Sequence, residues 1–423
     1  MDSSKHEFSK GKDTKVDTGI TNMVADDGVT DVAVGAVEER TTLSTFYRSV
    51  LFQMILFGAL SLVGPAMGDA ISNLGGGGLS TPWLANLANS LSYAMSFCTT
   101  ILGGPIINRI GIKWACLVAA LAMPLYGSAY YVSARNGTES YLLAANLIGG
   151  ICGGFLYVAE TTAMLSYPRP QDRGFYLGIW SAMRSTGSVI GGAINFSTNY
   201  NQTGSGGITW GTYLIFVGFE CTGPIWALLL SPTPKVRRRD GARVSMSRKV
   251  TWKQEFSALW AYLQRDTTWL VFLPAFYSFF YGGTMGTYLS NHFSVRARAL
   301  SSLLVPVITI PSVIAFGKLL DNTRYWTQLT LYWILGTYSK DVEVASRAGG
   351  VFRAFETCGQ AVSYGLSSAS HIKHVIPLYV NCGILVLMIP SMVMLISRMP
   401  KTLTGVVSIE QPESVHNETT KEN

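Results

Sequence analysis

The sequence predicts an all-α polytopic membrane protein built from two helical bundles, and three observations support this fold class. First, charged residues make up only 13% of the 423 residues, about half of the roughly 25% that is usual in soluble domains. Second, uncharged runs of 20 residues after Arg48 and 21 residues after Lys113 are long enough to cross a bilayer as helices. Third, two stretches of the first half recur in the second. These observations exclude a soluble globular enzyme.

The apolar runs predict about ten transmembrane helices between two polar tails. Residues 1–46 and 401–423 are polar and mixed in charge, which predicts disordered tails. Residues 47–230 are predicted to form a six-helix N-terminal bundle, and residues 267–400 a shortened C-terminal bundle. The predicted spans are 48–68, 83–107, 114–132, 141–165, 174–196, 208–230, 267–289, 299–317, 350–370 and 375–397.

A basic linker, residues 231–266, lies between the two predicted bundles and indicates their orientation. It holds nine Lys and Arg residues, and loops rich in these residues remain on the cytosolic side of a membrane. Six crossings before the linker then place the N-terminal tail in the cytosol as well. Because the net charge of +7 lies in such loops, it predicts topology rather than nucleic-acid binding. The sequence does not distinguish a plasma membrane from an endomembrane.

Two internal repeats relate the bundles to each other. Gly64–Asn73 aligns with Gly282–Asn291 at an offset of 218 residues, through the pattern Gly-x-x-Met-Gly-x-x-aliphatic-Ser-Asn. Gly104–Asn108 aligns with Gly317–Asp321 at an offset of 213 residues. The shared order and nearly equal offsets predict two homologous bundles in parallel repeat, an arrangement found in secondary transporters.

The second bundle is predicted to lack most of two helices. Only 15 uncharged residues separate Arg324 from Lys340, and 15 helical residues extend about 22 Å, short of the roughly 30 Å hydrocarbon core. Without a complete crossing there, Arg398 and Lys401 lie on the cytosolic side, as the positive-inside rule prefers. We therefore expect the ninth and tenth helices of a twelve-helix arrangement to be largely missing, and the C-terminal tail to be cytosolic.

A glycine-containing basic loop follows the second predicted span. Residues 104–113 (GPIINRIGIK) resemble the loop between helices 2 and 3 of the major facilitator superfamily, where it acts as a cytosolic latch. The resemblance implies close helix approach at the first glycine and charges that bind facing helix ends. Asn108 replaces the aspartate of that loop, which weakens its charge, and an ordinary basic loop would also explain the cations. The candidate latch residues are Gly104, Asn108, Arg109, Gly111, Lys113 and, in the second-half copy, Gly317 and Asp321.

Further motifs point to one branch of that superfamily. The stretches 157–160 (YVAE), 165–168 (LSYP), 176–180 (YLGIW) and 293–300 (FSVRARAL), with Gly75–Gly78, resemble the uncoordinated-ninety-three-like (Unc-93-like) branch in its fungal form. The resemblance covers about residues 45–400 and implies the two-bundle facilitator fold. It implies little chemistry, because the transported substrates of this branch are mostly unknown. Some animal members are linked to channel regulation and receptor trafficking instead of transport.

Four charged residues inside predicted spans are the candidates for transport or coupling. Glu160 in the fourth span and Arg184 in the fifth lie at depths that differ by about 4.5 Å, so we predict that they pair. Arg353 and Glu356 are three residues apart and would share one face of a helix. Ionisable residues within a membrane normally face a cavity or pair with one another. A structural ion pair and a proton-coupling or substrate-binding role both remain open for Glu160.

The remaining motifs concern modification, direction and cofactors. Sequons at Asn136 and Asn201 lie in loops predicted outside the cytosol, and Asn201, in the longer loop, is the better glycosylation candidate. Gly187–Gly192 resembles the antiporter glycine motif with serine for proline, which favours export, although close helix packing explains such glycines equally well. The six cysteines include no CxxC pair, and neither a metal site nor a cofactor is predicted.

The sequence therefore predicts a secondary transporter of an unidentified small molecule and not an enzyme. The alternative is a non-transporting membrane protein that regulates or escorts partner proteins. Three features favour the alternative: the shortened second bundle, Asn108 in the loop, and Asn146, which occupies a position where proton-coupled members often carry arginine. The intramembrane charges favour transport. The expected partners are the lipid bilayer and a small molecule, or a membrane protein under the alternative, and not nucleic acid.

Overall fold

The computed structural model describes residues 42–169, 172–244, 251–322, 342–369 and 375–397. Helices make up almost all of this part of the chain, and its only β pairing consists of isolated bridges. The segment between Arg324 and Lys340, where two helices are predicted to be missing, lies outside these ranges. Both predicted tails lie outside them too, apart from the first turns that follow Thr41.

The first half contains six helical crossings. Ser49 begins the first crossing by accepting a hydrogen bond from the amide of Phe52 at 3.2 Å, and Gly64 and Pro65 bend it in the middle. The helices of this half are α1 (Thr42–Tyr47), α2 (Val50–Val63), α3 (Pro65–Ser72), α4 (Pro82–Ile110), α5 (Ile112–Asn136), α6 (Glu139–Ser166), α7 (Arg173–Asn199), α8 (Trp210–Glu220) and α9 (Gly223–Leu229).

A linker helix precedes the second half. Thr251 and Gln254 form a capping box at its start, which satisfies amide groups that the first turn leaves without partners. The helices from there on are α10 (Trp252–Leu263), α11 (Asp266–Leu270), α12 (Phe272–Ser278), α13 (Tyr281–His292), α14 (Val295–Asn322), α15 (Val342–Ser368) and α16 (Ile376–Ser397). Helices α11 to α13 together form one broken crossing.

The predicted spans differ in how long and how apolar their described helices are. Six described segments are long and apolar enough to cross a membrane: α2 with α3, α4, α5, α6, α8 with α9, and most of α16. The other predicted spans coincide with α7 and α15, which carry charged residues and are more polar, with α11 to α13, which are short, and with α14, whose side chains are described only in part. These helices supply much of the wall of an internal cavity, where polar side chains are expected.

The first crossing is longer than the sequence analysis placed it. We ended that span at residue 68 because Asp69 interrupts the uncharged run, but α3 continues to Ser72. Asp69 therefore lies within the last turns of a membrane helix. It is accommodated there because another charged side chain reaches it, as described below.

The neighbours of each helix decide where the interior lies. Helix α7 packs along α2, α3 and α14, whereas α15 packs along α4 and α6, so these contacts join the two halves. Helix α6 packs on α4 and α5 and has little contact with α7. Glycines permit the closest contacts between helices. A Cβ on Gly192 of α7, for example, would lie 2.5 Å from the carbonyl oxygen of Ser302 in α14. Buried apolar side chains form two clusters, one towards each end of the bundle.

Candidate functional site: the central cavity

A cavity of about 450 Å³ lies between the two halves, within the roughly 300–1,000 Å³ range of small-molecule sites. Helices α3, α4, α6 and α7 of the first half and α13, α14 and α15 of the second contribute to its wall. The wall combines charged groups, hydroxyl groups and aromatic rings. Four tyrosines belong to it: Tyr93, Tyr157, Tyr281 and Tyr364.

An ion pair between Arg184 and Asp69 forms part of the cavity wall. The Arg184 Nε and Nη2 atoms both donate to Asp69 Oδ2, at 3.1 and 2.8 Å. The Arg184 guanidinium also lies 5.9 Å from the ring centre of Trp180. The Arg184 and Asp69 side chains are 18% and 37% exposed, and both line the cavity. The pair therefore places a positive and a negative group at the surface that a bound molecule would touch.

The predicted pairing of Glu160 with Arg184 is wrong. Consecutive helices α6 and α7 are not packed side by side, so matching depths do not bring these side chains into contact. Glu160 is fully buried and accepts a hydrogen bond from the Ser61 hydroxyl, which in turn accepts one from Trp180 Nε1 at 3.0 Å. Its Oε2 atom has no hydrogen-bond partner in the described part of the chain. Because Trp180 lines the cavity, these hydrogen bonds connect the cavity wall to Glu160.

The predicted pairing within α15 is confirmed. Arg353 Nη1 donates to Glu356 Oε2 at 2.8 Å, and the two side chains are 5% and 1% exposed. Arg353 Nε also donates to the Thr161 hydroxyl on α6 at 3.0 Å, and its guanidinium lies 5.2 Å from the ring centre of Tyr157. Arg353 therefore joins the second half to the first while it lines the cavity.

A smaller chamber of about 110 Å³ adjoins the cavity within the first half. Asp69, Tyr93 and Tyr157 line both spaces. Glu220, which is 1% exposed, lies on the wall of the smaller chamber and accepts a hydrogen bond from the amide of Gly127 at 3.1 Å. From the sequence, Glu220 was interpreted as mostly structural and was not a candidate for coupling, because its interior position depends on how α8 packs on α5.

Three helices meet in a polar network at the end of the cavity nearest the linker. Asn108, at the end of α4, donates to Glu255 Oε2 at 3.0 Å and accepts from the Ser346 hydroxyl at 2.7 Å. Arg347 of α15 donates to the same Glu255 oxygen at 2.7 Å. Glu255, on linker helix α10, is 1% exposed. Asn108 occupies the position where the facilitator loop usually carries an aspartate, and Glu255 supplies a carboxylate beside it.

The other predicted latch residues take part in different contacts. A Cβ on Gly104 would lie 2.8 Å from the Cα of Arg347, so this glycine allows the close approach that the resemblance implies. Lys113 donates to the carbonyl of Leu228 near the end of α9 at 2.7 Å. The Arg109 guanidinium lies 5.0 Å from the ring centre of Trp252. Gly111 ends α4 at φ 88°. Gly317 and Asp321 belong to the part of α14 whose surroundings lie outside the described part of the structure.

An arginine that the sequence analysis did not select joins the two halves at the end opposite the linker network. Arg298 of α14 is 1% exposed, and its guanidinium donates to the carbonyls of Leu74 at 3.2 Å and Gly206 at 2.6 Å. Gly75, which follows Leu74, packs so closely against α13 that a Cβ there would lie 2.5 Å from the Gly286 carbonyl oxygen. The available signal was that Arg298 and Gly75 both belong to motifs of the Unc-93-like resemblance.

Both sequons lie at the end of the molecule opposite the linker network. Asn136 is the last residue of α5, and Asn201 lies in the loop between α7 and α8. Both are exposed. Their glycosylation stays a prediction.

Comparison with known proteins identifies the family. A model of the Major Facilitator Superfamily matches residues 50–409, and the chain belongs to this superfamily. It is a multi-pass integral membrane protein with the facilitator fold, in a family of transporters.

The chain is also similar to individual proteins. The chain is 30% identical to Notoamide biosynthesis cluster protein O' of Aspergillus versicolor, over 77% of this chain and 84% of that protein. It is 27% identical to UNC93-like protein 1 of Arabidopsis thaliana, over 69% of this chain and 65% of the relative. An UNC93-like protein of Schizosaccharomyces pombe is also 27% identical, with 56% of its length covered. A crystal structure of the human organic anion transporter MFSD10 (TETRAN) matches with a TM-score of 0.49 and 14% identity, over 82% of this chain and 97% of that one.

Proposed function

We propose that this protein is a secondary transporter that exports a small organic molecule through the central cavity. The observation that carries the proposal is the cavity itself, which lies between the two halves and whose wall both halves supply. A molecule bound there touches both bundles. A rocking motion of one bundle against the other can therefore expose the molecule first to one side of the membrane and then to the other. The glycine motif in α7 is the feature that favours export.

The two ends of the cavity supply contacts that such a motion would break in turn. At one end, Asn108 and Arg347 of opposite halves share Glu255. At the other, Arg298 of the second half holds backbone carbonyls of the first. Hydrogen bonds to charged groups contribute about 1.5–3 kcal/mol each, which is small enough to exchange with water when one end opens. We propose that the linker end faces the cytosol, because it carries the basic linker.

The cavity wall also indicates what kind of molecule is moved. Hydroxyl groups and aromatic rings surround the ion pair of Asp69 with Arg184 and the guanidinium of Arg353, which is paired with the buried Glu356. This wall fits an organic molecule that offers both a flat apolar part and hydrogen-bonding groups. The sequence contains no nucleotide-binding motif, so we propose that an ion gradient or the gradient of the substrate drives transport. Glu160, joined to the wall through Ser61, is our candidate for proton coupling.

The test is a metabolite comparison between cells that lack the gene and cells that express the protein or its variants. We expect one or more organic molecules to accumulate in cells that lack the gene and in cells with Arg353→Gln, compared at equal abundance in the membrane. Arg296→Gln is the matched control, because Arg296 is exposed and lies outside the cavity wall. Its cells should resemble those with the unaltered protein.

The same experiment separates transport from the alternative function. A regulator or escort of partner proteins would leave metabolite levels unchanged and would instead alter the location or activity of another membrane protein. That result, with Arg353→Gln as active as the unaltered chain, would contradict the transport proposal.

A further inference from the structure

Linker helix α10 presents three distinct faces along its 12 residues. Glu255 and Leu259 are buried against the bundle. Trp252, Phe256 and Trp260 follow one another at intervals of four residues, so they form one continuous stripe. The third face is polar and exposed and includes Lys253. A helix with this composition is typical of the boundary between a membrane and water.

The aromatic stripe is not covered by the described part of the protein. Trp252, Phe256 and Trp260 are 44%, 42% and 64% exposed. The stripe adjoins the lipid-facing surface, because Arg109, at the end of α4, lies over Trp252, and the next residue, Ile110, is 41% exposed. Tryptophan and phenylalanine are the side chains that settle at the headgroup level of a bilayer. The membrane surface is therefore the partner that this stripe fits.

Cations accompany the stripe and indicate which lipids it meets. Lys253 and Arg265 are exposed, and Arg265 lies 5.4 Å from the ring centre of Tyr262 at the end of the helix. Both follow a linker segment that is rich in Lys and Arg. Basic residues beside an amphipathic helix are attracted to anionic headgroups.

We propose that α10 is an interfacial helix that binds anionic lipids of the adjacent leaflet, and that this binding stabilises the closed end of the cavity through Glu255. The connection follows from the geometry of one short helix. The aromatic stripe and Glu255 lie on neighbouring faces of α10, so lipid that fixes the helix also fixes the carboxylate between Asn108 and Arg347. The proposal does not depend on which molecule the cavity accepts.

The test uses the full chain in vesicles of phosphatidylcholine, with and without phosphatidylserine, and measures backbone hydrogen exchange. We expect exchange in Trp252–Leu263 and in the first turn of α15 to slow when phosphatidylserine is present. One cation near an anionic surface contributes about 1 kcal/mol, which corresponds to about fivefold. Lys253 and Arg265 together should therefore give a change well above fivefold. Equal exchange in the two kinds of vesicle would overturn the proposal without any variant.

Three variants identify the residues responsible. Lys253→Gln with Arg265→Gln should abolish the effect of phosphatidylserine, whereas the matched control Arg296→Gln should keep it, because Arg296 lies at the opposite end over Tyr200. Glu255→Gln should keep the effect in α10 and lose it in α15. If the double variant still responds fully, the cations do not bind the lipid. If α15 still responds in Glu255→Gln, Glu255 is not the connection.

Discussion

The ion pair between Asp69 and Arg184 gives the sharpest test of the interior geometry. Two unit charges about 4 Å apart attract by about 4 kcal/mol at an effective dielectric constant of about 20. The Asp69 side chain is 37% exposed to the cavity, which weakens this attraction. Exposed pairs contribute about 0–1 kcal/mol, and breaking a buried pair destabilises by about 3–5 kcal/mol. We therefore expect a coupling energy between the values for exposed and buried pairs, about 2 kcal/mol.

The assay is a double-mutant cycle with Asp69→Asn and Arg184→Gln, read from the free energy of unfolding in detergent. Each single change should destabilise the protein by about 2 kcal/mol, and the double variant should be little worse than either single one. A parallel cycle with Glu160→Gln and Arg184→Gln should give a coupling below about 1 kcal/mol. The geometry would be refuted if Glu160 coupled to Arg184 more strongly than Asp69 does.

Three further predictions concern gating, glycosylation and packing. Glu255→Gln should raise the labelling rate of an Ala345→Cys variant, because Ala345 is buried beside the linker network. The increase should be at least about tenfold, since a charged hydrogen bond contributes about 1.5–3 kcal/mol. Asn201→Gln should remove a glycosidase-sensitive shift on a gel. Gly359→Ala should lower the thermal midpoint and the yield, because its Cβ would lie 1.9 Å from a carbonyl oxygen of α12, whereas Gly211→Ala, with no atom within 4 Å, should not.

Each of these predictions has a contradicting outcome. Unchanged labelling in Glu255→Gln would mean that the network does not hold the linker end closed. A shift that persists in Asn201→Gln and disappears in Asn136→Gln would reverse the choice between the two sequons. Equal stability of the two glycine variants would contradict the close contact of α15 with α12.

The sequence by itself determined the properties that depend on neighbouring residues. Uncharged runs located the helices because a bilayer excludes charge over a fixed thickness. The repeats and the loop at Gly104 indicated the facilitator family, which the family comparison confirms. Arg353 and Glu356 were predicted to pair because three residues bring side chains to one helix face, and the structure confirms this pair.

Only the tertiary structure decided which distant residues meet. Asp69 and Arg184 are 115 residues apart, as are Lys113 and Leu228, and Asn108 and Glu255 are separated by 147. Helical periodicity gives the direction and depth of a side chain but not the helix that it faces. That is why Glu160 was assigned to Arg184 although α6 and α7, consecutive in the chain, are not neighbours in the bundle. The identity of neighbouring helices follows from packing over the whole fold. This packing placed Asp69 on the cavity wall and placed Arg298 and Glu255 in contacts between the two halves.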